Sequence, residues 1–169
     1  MNEISLAKAT IRKQILNLRQ SGNQSNQALL DNLLAVVKTH NPKRVATYIS
    51  YPTEPDTKAF IQTLLSEGMT VLVPETLEDG KLMWHEILET EEVSLAAGDL
   101  MFVPALAVDE FGNRLGRGKG YFDREISSLS DVLVYAVVFE SEVLDAVPVE
   151  DHDQRVDGVV TQEHIRKIN

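Results

Sequence analysis

Cysteine is absent from the chain, which removes disulfides, thiol nucleophiles and zinc–thiolate centres and fits a reducing compartment. Long apolar runs are missing too. No stretch could span a bilayer, and the opening residues M-N-E-I-S-L-A-K-A-T-I-R-K lack the extended apolar core of a signal peptide. A cytoplasmic protein without a membrane partner is therefore expected. Positive charge is in deficit: the formal net charge is -10. That argues against nucleic acid as a partner, because sequence-independent affinity for it comes from neutralising phosphates. Repeats and low-complexity segments are absent.

What is present describes an ordinary globular chain, with 43% apolar and 25% charged residues over 169 positions, enough for one domain with a continuous core. Ser5–Arg19 reads as a helix, with Ile4, Ile11, Ile15 and Leu18 as its buried stripe. Lys8, Arg12 and Arg19 form a second line beside it, at i, i+4 and i+11. That line is first of all a solvated flank; the alternative is a row of cations aimed into a cleft. After the polar break S-G-N-Q-S-N at 21–26, Gln27–Val37 is a second helix, closed by Asn41-Pro42.

Arg44–Ser50 is a buried strand emptying into Y-P-T-E-P-D-T (51–57). Loops between a strand and a helix hold ligands in open α/β sheets. Glu54, between two prolines, is equally a ligand contact or a first-turn acid of the next helix, and Asp56 reads as a helix cap. Lys58–Ser66 is a helix, and Thr70–Pro74 and Lys81–Ile87 are strands, the latter near an edge. Trp84 reads as packing. Leu88–Gly98 is acidic and irregular. In the apolar run Met101–Val108, Pro104 suggests a bulge or an edge. Phe122–Leu129 is a helix, and Val132–Phe139 is the most apolar strand, expected to be central. Alternating helices and strands give one α/β domain, with an open, mostly parallel sheet flanked by helices on both faces in a Rossmann-like three-layer arrangement.

Chemistry concentrates in N-R-L-G-R-G-K-G-Y-F-D, Asn113–Asp123, where Gly116, Gly118 and Gly120 alternate with Arg117 and Lys119 and Arg114 stands just before. Glycine lets backbone N–H groups close around an anion, and the cations add charge-assisted hydrogen bonds. Asp123 suggests a magnesium held with phosphates. An exposed turn with solvated charges is the plain alternative. The loop is neither a Walker A sequence, since Gly118-Lys119 runs into Gly120, nor the dinucleotide G-x-G-x-x-G pattern. Downstream, Glu150, Asp151, His152, Asp153 and Asp157 are the densest acidic patch, where a second carboxylate could meet Asp123 across a cleft; His152 reads as a surface residue. No Ser-His-Asp or Cys-His arrangement is available, which favours phosphoryl transfer by positioning and charge over covalent catalysis.

The chain resembles the 5-formyltetrahydrofolate cyclo-ligase (methenyltetrahydrofolate synthetase) family. The resemblance is carried by K-A-T-I-R (8–12), Y-I-S-Y-P-T-E-P-D-T (48–57), V-P-A-L-A-V-D (103–109), G-N-R-L-G-R-G-K-G-Y-F-D (112–123) and V-P-V-E-D-H-D-Q-R-V-D (147–157). It implies an enzyme that uses ATP as co-substrate and Mg²⁺ to close 5-formyltetrahydrofolate into 5,10-methenyltetrahydrofolate, releasing ADP and phosphate. It further implies ATP contacts from Lys8, Arg12, Arg114, Leu115, Gly116, Arg117, Gly118, Lys119, Gly120, Tyr121 and Phe122. Substrate contacts would come from Ile49, Glu54 and Arg117 to Tyr121, metal ligation from Asp123 and Asp153, and catalysis from Arg117 and Lys119. A monomer acting on these small molecules is expected. Two departures stand out: Phe122 replaces a usual tyrosine, and the segment between Ile87 and Asp99 is short and acidic. A sugar-phosphate isomerase and a non-catalytic nucleotide-binding regulator are the rival readings.

Overall fold

The short apolar runs become the interior of one twisted sheet in the structure, a computed structural model that describes residues 2–20 and 27–168. In chain order the elements are α1 (Glu3–Gln20), α2 (Gln27–His40), β1 (Val45–Thr47), α3 (Lys58–Ser66), β2 (Val71–Thr76), β3 (Leu82–Glu86) and β4 (Glu92–Val93). They continue with β5 (Leu100–Pro104), β6 (Ala107–Val108), β7 (Arg114–Leu115), α4 (Tyr121–Ser128), β8 (Leu133–Val137), β9 (Gly158–Val160) and β10 (Ile165–Lys167). The main sheet has the order β10-β9-β8-β5-β1-β2-β3-β4, and β6-β7 form a separate ribbon. Strands β2, β1, β5, β8 and β9 are mutually parallel, with β3, β4 and β10 antiparallel at the margins.

Side chains alternate across the sheet. Val45, Val71, Leu100, Phe102, Tyr135 and Val137 point to the face covered by α2 and α3. Ala46, Leu72, Met101, Val103, Val134 and Ala136 point to the other, where Phe122 and Ile126 of α4 pack. Burial on both faces explains why these strands are apolar throughout rather than alternating. The expected three layers are therefore present.

Three local expectations change, and the tail adds strands that the sequence did not suggest. The buried residues of α1 are Lys8, Ile15 and Arg19, with Lys8 4% and Arg19 8% exposed and Arg12 half-buried between them. Of the expected stripe Ile15 is buried and Ile11 packs beside it, whereas Ile4 and Leu18 are 39% and 66% exposed. This helix packs on the β6–β7 ribbon and the segment around Val147, through Ile15, and that surface offers carboxylates to cations. Pro104 ends β5, an interior strand, opposite Val137; it is tolerated where pairing with β1 has already stopped at Phe102. β8 is interior but flanks the centre, which is held by β5 and β1. The tail adds β9 and β10, whose short runs G-V-V and I-R-K carry little strand signal of their own. Trp84 is buried in the core, its Nε1 donating to Glu125 Oε1 at 3.0 Å, as packing requires. The 21–26 break lies outside the described residues.

Phe102 is fully buried, edge-on to Phe60 with ring centroids 5.2 Å apart. Phe102→Ala should lower the unfolding free energy by about 3–5 kcal/mol, read from urea denaturation.

Candidate active site

The loops leaving the C-terminal ends of β1 and β5 meet where the chain's connections diverge, β1 running through α3 to β2 and β5 through α4 to β8. Open sheets leave a crevice at such a point. After β1, Thr57 Oγ1 donates to Tyr48 O at 2.7 Å and Ser50 Oγ donates to Asp56 Oδ1 at 2.9 Å, folding 48–57 back on itself. Asp56 Oδ1 also accepts from Lys58 N at 3.0 Å, which is the capping role read from sequence. Glu54 is turned inward instead. Its side chain is 4% exposed, Oε2 accepting from Tyr51 N and Oε1 from Arg117 Nε and Nη2 at 3.1 and 3.0 Å.

After β5, the β6–β7 ribbon carries the chain to the glycine-rich loop. Buried Asp109 accepts from Phe111 N, Asn113 N, Asn113 Nδ2 and Val147 N, tying the ribbon's turn to the segment that bears the acidic patch. Arg114 is buried, donating from Nη2 to Asp123 Oδ1 at 2.8 Å and from Nη1 to Pro104 O at 3.3 Å. Its Nε is buried without a hydrogen-bond partner. Gly118 and Gly120 take φ of +99° and +69°, the left-handed region that glycine enters at little cost. Arg12 lies over Gly118 and donates from Nε to Gly116 O at 2.9 Å, so α1 is docked on the loop.

Two clefts open on either side of this loop. The larger, about 650 Å³, has apolar and aromatic walls including Ile49, Tyr51, Leu82, Tyr121 and Phe122, with Glu54 and Arg117 facing in. The second, about 530 Å³, is strongly charged: Lys8, Arg12, Arg114, Lys119 and Arg124 face Asp123, Glu150 and Asp153. Arg114, Gly116, Lys119, Gly120 and Asp123 line both. None of residues 88–99 lines the larger cleft among the described residues, because β4 sits at the far margin of the sheet.

In the charged cleft Lys8 Nζ donates to Glu150 Oε2 at 2.8 Å and to Asp153 Oδ2 at 2.5 Å. Burial works to lower the Lys8 pKa, but these two carboxylates outweigh it and raise the value. Glu150 is correspondingly held below the usual carboxylate range, chiefly by the Lys8 hydrogen bond. Tyr48, at the wall of the larger cleft, is pushed well up by burial and then by the charge of Glu54. Asp123 Oδ1 is taken by Arg114 and Gln154 N, and Asp153 Oδ2 by Lys8 and Glu150 N. Asp123 Oδ2 and Asp153 Oδ1 stay outside these hydrogen bonds. A magnesium ion that keeps several waters and uses one or two carboxylates beside phosphate oxygens fits such a donor set. The carboxylates crowded together are Glu150 and Asp153, with His152, while Asp123 enters from α4.

Of the residues singled out in the sequence, Lys8, Arg12, Gly116, Gly118, Lys119, Gly120, Asp123 and Asp153 come together in the charged cleft. Ile49, Glu54, Arg117, Tyr121 and Phe122 meet in the larger one. Arg117 lies across that cleft on Glu54, its guanidinium 5.8 Å from the Tyr51 ring, and does not line the charged cleft. Arg114 and Leu115 also line the charged cleft, but Leu115 is 1% exposed and packs with Ile15 and Leu106, and Arg114 is paired with Asp123 and Pro104. Sequence reasoning missed Glu142, whose two carboxylate oxygens accept from Nε and Nη2 of the buried Arg19 guanidinium at 2.6 and 2.7 Å. It also passed over Glu150 as a specific partner and Asp109 as the loop's anchor. An isolated acid has no spacing signal that would announce a partner more than a hundred residues away.

Comparison with known proteins follows the same lines. Residues 4–162 match the 5-formyltetrahydrofolate cyclo-ligase family. The 5-formyltetrahydrofolate cyclo-ligase of Mycolicibacterium smegmatis is 33% identical, covering 70% of this chain and 73% of its own. The mouse 5-formyltetrahydrofolate cyclo-ligase is 26% identical over 89% of this chain and 90% of its own. Among solved structures, the 5,10-methenyltetrahydrofolate synthetase of Aquifex aeolicus superposes with a TM-score of 0.80 at 24% identity, covering 96% of this chain and 93% of that one. The Mycoplasma pneumoniae 5,10-methenyltetrahydrofolate synthetase also gives 0.80, at 21% identity, covering 92% and 99%. These two likenesses establish the fold, and the match over nearly all of the sequence establishes that the chain belongs to the 5-formyltetrahydrofolate cyclo-ligase family.

Proposed function

We propose that this chain closes 5-formyltetrahydrofolate into 5,10-methenyltetrahydrofolate at the expense of ATP, releasing ADP and phosphate. The observation that carries the reading is the shared wall: one glycine-rich loop lines both an apolar cleft suited to a planar substrate and a cationic cleft suited to a triphosphate. Family membership supplies the reaction, and the relatives named above carry the corresponding activity in their names.

In this reading the folate lies against Ile49 and Tyr121, with Glu54 facing the donor edge of its ring. The triphosphate lies among Lys8, Arg12, Lys119 and the N–H groups of Gly116 to Gly120. The formyl oxygen attacks the γ-phosphorus as the bond to the β,γ-bridging oxygen breaks and ADP leaves, N10 closes on the activated carbon, and phosphate departs with the formyl oxygen while N10 gives up its proton. The attacking oxygen is amide-like and carries no proton, so the first step requires no general base. The chain's task is to align oxygen with phosphorus and offset charge on the transferred group, for which Lys119 and Arg117 are placed in the loop. Lys119 is exposed and has no ion-pair partner among the described residues, leaving its charge available. Magnesium would neutralise phosphate oxygens, with Asp123 and Asp153 as its carboxylates. The chain is further proposed to act as a cytoplasmic monomer; the absence of cysteine and the acidic net charge support that setting. No helix among the described residues is long and apolar enough to cross a membrane.

Purified protein should form the methenyl chromophore and release phosphate only when ATP and magnesium are both supplied. Conversion of a sugar phosphate without ATP would favour the isomerase reading, and ATP binding without phosphate release would favour a regulator. Arg117→Ala should lower turnover by about 10²–10³-fold while the fold is kept at a lowered melting temperature, because Glu54 loses its partner, and a near-wild-type rate would remove its catalytic role. Lys119→Ala should raise KM for ATP and lower kcat, measured in the same absorbance assay, with KM for folate changed least.

A further inference from the structure

Arg117 and Glu54 are both assigned to ligands, yet in this structure each is assigned to the other. The pair has unequal partners. Glu54 is a buried carboxylate with both oxygens engaged, whereas the Arg117 side chain is 43% exposed and lies against the open ring of Tyr51. Removing the cation alone would leave a buried carboxylate unpaired, which is costly. A ligand that brings its own adjacent N–H donors can take the guanidinium's place at no such cost, because paired donors match the fork that Arg117 now presents to Glu54. Arg117 also stands between Gly116 and Gly118, and Gly118 is in the left-handed region. The segment can therefore turn with little steric resistance. Its neighbours Gly116, Gly118 and Lys119 already line the charged cleft.

We infer that Arg117 is a shared residue that couples the two clefts: it pairs with Glu54 as seen here, and a ring with paired N–H donors displaces it toward the triphosphate. The inference rests on the proposed two-substrate reading and deepens it. Two consequences follow. First, the larger cleft selects for a planar ring bearing adjacent N–H donors, since only such a ligand satisfies Glu54 once Arg117 has left. Second, each substrate tightens the other, because occupying Glu54 frees a cation for the phosphates, and linkage makes that effect reciprocal.

The test is equilibrium binding of the magnesium complex of a non-hydrolysable ATP analogue, by calorimetry, with and without saturating tetrahydrofolate, which lacks the formyl group and cannot react. In the wild-type protein tetrahydrofolate should tighten the analogue by about tenfold, within the usual range of coupling between sites. Glu54→Gln, nearly the same shape but without the charge, should bind the analogue tightly even without tetrahydrofolate and show no further gain. Arg117→Ala should bind it weakly in both conditions, again without coupling. Unchanged affinity in the wild-type protein, or coupling that survives in Arg117→Ala, would overturn the inference while leaving the two-substrate reading intact. Failure of the analogue to bind under any condition would instead overturn that reading, and this inference with it. Melting curves of both variants check that the fold is kept.

Discussion

A cation taken out of water must meet a carboxylate, and that constraint organises the functional end of this molecule. Two pairings of this kind join parts of the chain far apart in sequence, and a third is local. Lys8 meets Glu150 and Asp153, Arg19 meets Glu142, and Arg114 meets Asp123. The first two hold α1 across the C-terminal ends of the strands; the third holds the glycine-rich loop against the start of α4. Where a soluble helix usually buries an apolar stripe, two of the three residues that α1 buries, Lys8 and Arg19, are cations. Its place over the loop is set by charge geometry more than by oil.

That arrangement has a consequence for the loop. Glycines at 116, 118 and 120 give the backbone freedom to wrap an anion, but freedom alone would leave it without a defined shape. Arg12 bonded to Gly116 O, Arg114 bonded to Pro104 O and Asp109 bonded to the turn at Asn113 supply the definition. The loop is thereby fixed at its base and at one flank while Lys119 and Arg117 project from its crest. A wall of this kind, shared by two clefts, suits a reaction that brings two substrates together without a covalent enzyme intermediate.

Much of the architecture could be read from the chain. Continuous, largely apolar runs at Val45, Val71, Leu100 and Leu133 announce strands buried on both faces, and the helix and glycine signals between them give the alternating pattern. The glycine-rich loop, with its cations and trailing Asp123, could be located because all of its information is local. Less legible were β9 and β10, whose three residues apiece become strands only because neighbours offer hydrogen bonds. The same holds for Pro104, whose tolerance depends on where a neighbouring strand stops.

Composition and local pattern by themselves determined the fold class, the loop and the types of charge available, because periodicity, backbone freedom and formal charge are properties of adjacent residues. Only the tertiary structure decided which cation faces which acid. Lys8 and Arg19 became buried partners rather than a solvated flank, Glu54, equally a ligand contact or a helix acid in the sequence, became the partner of Arg117, and Glu142 and Asp109 acquired their roles. Apart from the local turn bonds of Asp109, each of these depends on a meeting across tens of residues or more, and burial then turns a weak exposed attraction into a strong positional requirement.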